Sequence, residues 1–146
     1  MCAYLRVEGE TFDVDGFLDG STIKPDQVFH RGLQKERLKG KNWPCNGFGI
    51  EIGGAFGQLD SQITEIIKFF GEHRQELARL SHFPGVSDIR LIFSYCPGNG
   101  ANVTEYLPPV VLGSLGSIGV GIELDIYPGD NKWLEEEEDV NLTRQP

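Results

Sequence analysis

The amino-acid sequence predicts an α+β fold, a two-layer sandwich in which an antiparallel or mixed sheet of about five strands carries helices on one face. Two observations support this prediction. The strand-like segments alternate apolar and polar residues instead of being apolar throughout, which is typical of strands with one face on the core. The helical segments are interposed in the order β-α-β-β-α-β-α-β, and the length of 146 residues fits a single domain.

Five segments are predicted to be strands because apolar and polar side chains alternate along them, or because β-branched residues with Gly or Pro boundaries mark them. These strands are predicted at 3–7, 27–31, 48–52, 89–95 and 121–127. In the last strand, Ile122, Leu124 and Ile126 share one face. The glycines around the third strand are interpreted as turn and strand-edge residues, because their spacing matches neither of the phosphate-binding glycine motifs.

Three segments are predicted to be helices. Asp13 is a suitable cap for a short helix over 13–19. The clearest helical periodicity covers 60–80, and a third helix follows Pro108. Asp13 and Asp15 are interpreted as a cap and a favourable charge at the positive end of the first helix, in preference to a pair of catalytic carboxylates.

The composition argues against several classes of protein. The net charge of −9 disfavours general binding to nucleic acid or to anionic membranes, since both depend on many Lys and Arg side chains. No stretch approaches the roughly 20 apolar residues of a transmembrane helix, and the N-terminus lacks the layout of a signal peptide, so a cytoplasmic location is predicted. The three cysteines form neither a disulfide framework nor a zinc motif, and no metal or cofactor is expected.

The charge is distributed unevenly along the chain. Residues 24–41 contain six of the 13 Lys and Arg residues and two acids. Residues 129–146, with six acids and two bases, are predicted to be an acidic, partly disordered tail that follows a single domain at 1–128. The opposite charges predict that this tail folds over the 24–41 segment of its own or a neighbouring subunit.

His30 and Arg31, at the end of the second predicted strand, are the best candidates for a ligand-binding site. Arg binds a carboxylate or phosphate through two parallel hydrogen bonds, and a neighbouring His can titrate near neutral pH. Trp43, flanked by Lys41, extends this candidate site with an aromatic surface. The alternative interpretation is a solvated strand edge beside a Trp that packs over the core. No residue is assigned a catalytic or metal-binding role.

The remaining cysteines and histidines are predicted to have structural roles. Cys45 and Cys96 would act as nucleophiles only with a His within hydrogen-bond distance, and buried, inert thiols are the favoured interpretation. His73 is predicted at a helix boundary. His82 is predicted at a helix end, where it contacts the terminal carbonyl groups.

Several blocks of the sequence, taken in order, carry a family resemblance. They are 4–9, 12–18, 25–32, 73–80, 83–86, 107–109 and 119–128. With these blocks the chain resembles a bacterial family of uncharacterised domains, catalogued as domain of unknown function 4279. The resemblance covers about residues 3–128. It implies a shared fold, and it implies no activity, cofactor or catalytic residue.

Two hypotheses for the function follow. The first is a non-enzymatic binding or interaction module, of which an inhibitory or immunity-like protein is one form, because two oppositely charged segments occur without a catalytic motif. The second is a small enzyme or small-molecule sensor with an anion-binding pocket around His30, Arg31 and Trp43. The expected partner is an unidentified protein or a small anionic ligand, and an uncovered sheet edge would also permit a homodimer.

Overall fold

The computed structural model describes residues 3–36, 38–96 and 105–127. The strands are β1 (Ala3–Gly9), β2 (Gln27–Phe29), β3 (Asn46–Gly53), β4 (Asp88–Tyr95) and β5 (Gly121–Ile126), and the helices are α1 (Val14–Leu18), α2 (Leu59–Glu72), α3 (Arg74–Ser81) and α4 (Pro109–Ser117). The strands form one sheet in the order β2-β3-β1-β4-β5. The β4–β5 pair is parallel and the other three pairs are antiparallel.

The helices of the described residues pack on one face of this sheet. Leu5 and Val7 of β1 are fully buried in the core between strands and helices. Tyr4 and Arg6, which alternate with them, point to the opposite face and remain partly exposed. We call this second face the open face, because no described helix covers it. The predicted two-layer α+β sandwich is confirmed.

An aromatic cluster fastens α1 to the sheet. Phe12, Phe17, Phe48 and Phe83 lie with ring centroids 5.2–6.1 Å apart, in stacked, tilted and edge-on pairs. Each buried ring contributes roughly 1.5–3 kcal/mol through the apolar surface it removes from water. Because Phe48 belongs to β3, the cluster also fixes the strand beside which β2 and its neighbouring loop are built.

The structure corrects two predicted element boundaries. The helix predicted over 60–80 is two helices that meet at His73, whose backbone (φ −109°, ψ 20°) leaves the helical conformation. The predicted boundary role of His73 is therefore confirmed, and the predicted continuous helix is wrong. β2 ends at Phe29 instead of residue 31, because the N–H of Arg31 donates to Asn46 Oδ1 at 2.8 Å and leaves the strand ladder.

Two side chains at helix ends act as predicted. Asp13 caps α1 by accepting a hydrogen bond from the Gly16 N–H at 3.0 Å. His82 follows α3 and its Nδ1 lies 3.0 Å from the carbonyl oxygen of Ala78.

The predicted acidic tail at 129–146 lies outside the described residues, and so does its predicted contact with the 24–41 segment. The described helices are all too short or too polar to cross a membrane.

Candidate functional site

A cleft of about 590 Å³ lies on the open face, near the edge of the sheet that β2 forms. Its walls come from β1, β2 and the segment that follows β2. They include the aromatic rings of Tyr4, Phe29 and Trp43 and the carboxylates of Asp26 and Glu36.

The segment after β2 folds back on itself as a short hairpin, which places Trp43 at the cleft. The N–H of Gly32 donates to the Trp43 carbonyl at 2.9 Å, and the Trp43 N–H donates to the Leu33 carbonyl at 2.9 Å. Further along, the Lys35 N–H donates to the Lys41 carbonyl at 2.9 Å. These backbone pairs return the chain to β2, so that Trp43 lies beside Phe29.

Phe29 and Trp43 form the floor of the cleft. Phe29 is only 2% exposed although it points to the open face, because the Trp43 ring stacks on it with centroids 4.2 Å apart. The Arg6 guanidinium lies 5.5 Å and 5.8 Å from the two ring centroids, and its Nε donates to Glu8 Oε2 at 2.7 Å. The Lys35 ammonium lies 4.6 Å from the Trp43 centroid. Cations therefore already contact this aromatic pair.

Two glycines of β3 make room for the aromatic rings of the cleft. A Cβ atom at Gly47 would lie 2.6 Å from Cζ of Phe29, which faces it across the β2–β3 pair. A Cβ atom at Gly49 would overlap the phenol of Tyr4. The interpretation of these glycines as turn and strand-edge residues is corrected: the structure places both inside β3, where the lack of a side chain lets aromatic side chains lie flat on the sheet.

Two ionisable groups on this face have raised pKa values. Burial raises the pKa of the Tyr4 phenol above its ordinary value of 10.0, and Asp26 and Glu51 add to the effect while Arg6 opposes it. Burial also raises the pKa of the Cys45 thiol above 9.0, together with the charge and hydrogen bond of Glu8. Both groups therefore stay protonated at neutral pH, which makes them poor nucleophiles.

The family model described as domain of unknown function (DUF4279) matches residues 1–129, which include every element that builds the cleft. The chain belongs to the DUF4279 family. Comparisons with curated proteins and with solved structures found no match. Among the described residues of this DUF4279 domain, no group of three His, Cys, Asp or Glu side chains is placed to hold a metal ion.

In the DUF4279 domain the two candidate cations already face carboxylates. His30 lies on the wall of the cleft, and its Nε2 is 2.9 Å from Asp15 Oδ2 in α1. Arg31 lies outside the cleft wall, and its Nη1 is 2.7 Å from Glu10 Oε1 in the turn after β1. The assignment of these residues to an anion site stays a prediction, and an anion would have to compete with both carboxylates.

The other two candidate residues, Trp43 and Lys41, lie in different places. Trp43 lies in the cleft, where it covers Phe29, whereas Lys41 is exposed on the hairpin and does not line the cleft. Sequence reasoning missed Tyr4, Phe29 and the two carboxylates of the cleft wall. The one available signal was an apolar aromatic residue at position 29 on the polar side of its strand, opposite a glycine-rich strand.

Proposed function

We propose that this DUF4279 domain is a non-enzymatic binding module whose cleft holds a cationic side chain of a protein partner. The observation that carries the proposal is the composition of the cleft wall. Three aromatic rings, two carboxylates and His30 line it, and the cations of Lys35 and Arg6 already contact its rings. Aromatic faces and carboxylates attract Lys and Arg through cation–π contacts and charge-assisted hydrogen bonds.

The contact between Lys35 and Trp43 supports the proposal. The Lys35 ammonium lies over the indole at 4.6 Å, while Phe29 occupies the other ring face. Hydrogen bonds with Lys41 and Leu38 hold the Lys35 backbone in the hairpin, whereas its ammonium makes no hydrogen bond or ion pair with another described residue. A Lys or Arg from a partner can therefore take its place on the ring without disturbing the Phe29–Trp43 stack.

The same geometry disfavours the anionic ligand of the second hypothesis. His30 and Arg31 would first have to leave Asp15 and Glu10, and the ligand would meet the carboxylates of the wall. The pKa values of Tyr4 and Cys45 are both raised, so both groups stay protonated at neutral pH. That direction supports a binding role over a nucleophilic one.

Trp43 fluorescence tests the proposal in solution. The sequence contains two Trp residues, so Trp133→Phe leaves Trp43 as the single indole. The full-length variant is titrated with a Lys- and Arg-rich peptide, a Glu-rich peptide of equal length and inorganic phosphate. We expect a saturable change in Trp43 fluorescence with the basic peptide and with neither of the other two probes. Glu36→Gln should weaken that binding about threefold to tenfold, because it removes one wall charge.

Glu72→Gln is the matched control, since Glu72 is an exposed acid at the end of α2 on the helix side of the sheet. It should bind the basic peptide as tightly as the parent. Saturation by phosphate that Arg31→Ala abolishes would establish the anion pocket instead. A titration that saturates with none of the three probes would contradict the proposal that the cleft is a binding site.

A further inference from the structure

β5 forms one edge of the sheet, and no strand of the described residues pairs with its outer side. The Tyr127 N–H just after β5 donates to the Tyr95 carbonyl at 2.8 Å, on the β4 side. Backbone groups alternate between the two sides of a strand. The N–H and C=O groups of Ile122, Leu124 and Ile126 therefore point away from β4, to the side on which no described strand lies.

The same three residues expose their side chains beside that edge. Ile122, Leu124 and Ile126 are 37%, 49% and 65% exposed, although the β4–β5 register places them on the helix side of the sheet. These side chains are left partly exposed on the helix side, where α2 packs over β3, β1 and β4 and beside α4.

Leu112 of α4 is a further exposed apolar residue on the helix side of the sheet. Val111 and Leu115 are buried, and Val110 lines the groove towards α2 and α3. At helical spacing Leu112 lies on the opposite flank of α4, and it is 45% exposed. We define the apolar strip as Ile122, Leu124 and Ile126.

The open-face side of the same strand is acidic. Glu123 and Asp125 alternate with the residues of the apolar strip. Arg90 Nη1 lies 2.7 Å from Glu123 Oε2, so one of the two charges is partly neutralised. The Asp125 side chain makes no hydrogen bond or ion pair with another described residue. An added strand would thus meet aliphatic side chains on one face and carboxylates on the other.

We infer that the edge of β5 binds an extended segment of a protein partner in which aliphatic and basic residues alternate, as a sixth strand of the sheet. The outward backbone groups of β5 would supply main-chain hydrogen bonds, and the apolar strip would hold the aliphatic side chains. The basic side chains would meet Asp125 and the free side of Glu123. The surface is separate from the cleft, so the inference does not depend on the proposed function.

Charge distinguishes this occupant from two others. In an antiparallel pairing with a second copy, centred on Leu124, Glu123 would stand opposite Asp125, and like charges directly opposite each other destabilise a sheet. Residues 129–146 of the chain carry six acids and two bases, so their charge repels the same carboxylates. An alternating aliphatic and basic segment satisfies both faces of β5.

The inference is tested on the full-length chain by NMR with three synthetic hexapeptides. One alternates Val with Lys or Arg, one has the same composition with the basic residues grouped, and one alternates Val with Glu. We expect the first alone to shift the amides of Ile122, Leu124 and Ile126 and to slow their hydrogen exchange. Asp125→Lys should weaken this binding about tenfold and turn the preference towards the Glu peptide.

Asp19→Lys is the matched control, because it makes the same change of charge just after α1, which packs on β3 towards the opposite edge of the sheet. Its affinity for the basic peptide should equal that of the parent. Equal binding of the grouped peptide would reduce the interaction to unspecific attraction and overturn the inference. Slow exchange of the three amides in the free protein would also overturn it, with sedimentation showing whether the chain itself or a second copy covers the edge.

Discussion

The guanidinium of Arg79 lies 4.1 Å over the ring of Phe17, and its Nη2 donates to the Phe17 carbonyl oxygen at 2.9 Å. One side chain of α3 thereby covers the central ring of the aromatic cluster and satisfies a carbonyl group at the end of the short helix α1. Arg79 also pairs with Glu76 at 3.0 Å, so its position is held from its own helix.

Arg79→Ala is expected to lower the free energy of unfolding by about 1–2 kcal/mol, from the lost charged hydrogen bond and cation–π contact. Arg79→Lys should lower the free energy of unfolding by less than Arg79→Ala does. The ammonium keeps the charge but cannot stack as a flat guanidinium does. Urea denaturation measures both changes. Arg74→Ala on the same helix is the control and should remain within about 0.5 kcal/mol of the parent. Equal losses for the two Ala variants would contradict the role of Arg79.

Glu76 makes the stability depend on pH. The Ser21 hydroxyl donates to its carboxylate at 2.6 Å, and this bond and that of Arg79 hold the pKa of Glu76 below its ordinary value of 4.5. The stabilisation is therefore present above that value and is lost as the pH falls through the folded-state pKa. Glu76→Gln should cost stability at about pH 7 and little at about pH 3.

Urea denaturation of the parent and the Glu76→Gln variant at both pH values measures this difference. Ser21→Ala in the parent should reduce the pH dependence of the stability, since it removes the hydroxyl that donates to the Glu76 carboxylate. Glu72→Gln, at the exposed end of α2, should leave it unchanged. A cost of Glu76→Gln that is the same at both pH values would contradict the assignment.

Gly85 joins the turn after α3 to the turn after β1. Its φ of +85° is a conformation that favours glycine, and an added Cβ would lie 2.7 Å from the Phe12 nitrogen. Gly85→Ala should therefore cost roughly 2–5 kcal/mol, from backbone strain and the clash together. Gly20→Ala separates the two terms, because Gly20 has a φ of +77° with nothing within 4 Å of the added atom. It should cost about 1–2 kcal/mol in the same thermal or urea unfolding measurement.

The fold could be predicted from the sequence because each strand and helix carries its own periodicity. The alternation in β1 and β5 and the apolar stripe of α2 are local patterns that need no knowledge of neighbours. A single continuous helix over 60–80 was predicted wrongly because the apolar positions continue at helical spacing from Phe70 to Leu77. A backbone change at a single residue leaves that spacing intact.

The cleft could be predicted only in part, because its parts meet through strand pairing and hairpin geometry. Trp43 was identified from its residue type, but its contact with Phe29 depends on hydrogen bonds between residues 32–33 and 43. The contacts of His30 with Asp15 and of Arg31 with Glu10 depend on the closeness of α1 and the turn after β1. A list of basic residues along the chain contains neither relationship.

Gln62 shows how a single side chain can extend the sheet. The β1–β4 ladder ends at the pair of Tyr4 with Ile92. Beyond it, the Gln62 amide of α2 takes the place of a neighbouring strand: Oε1 accepts from the Ser94 N–H at 3.1 Å, and Nε2 donates to the Ser94 carbonyl at 2.7 Å. The same Nε2 donates to the Ala55 carbonyl at 3.1 Å, and Gln62 is fully buried.

Gln62→Leu is expected to lower the free energy of unfolding by about 3 kcal/mol or more. The side chain keeps a similar volume, but a buried N–H and two carbonyl groups lose their partners. Gln62→Glu should be as damaging at neutral pH, since its carboxylate would face two carbonyl oxygens. It should recover as the pH falls, because the folded state raises the pKa of that carboxyl and only the protonated form can donate. Urea denaturation at neutral and acidic pH measures both effects, with the exposed Gln75→Leu on α3 as control. A Gln62→Leu variant as stable as Gln75→Leu would show that β4 does not depend on this amide, and the two variants together separate the lost hydrogen bonds from a change in packing.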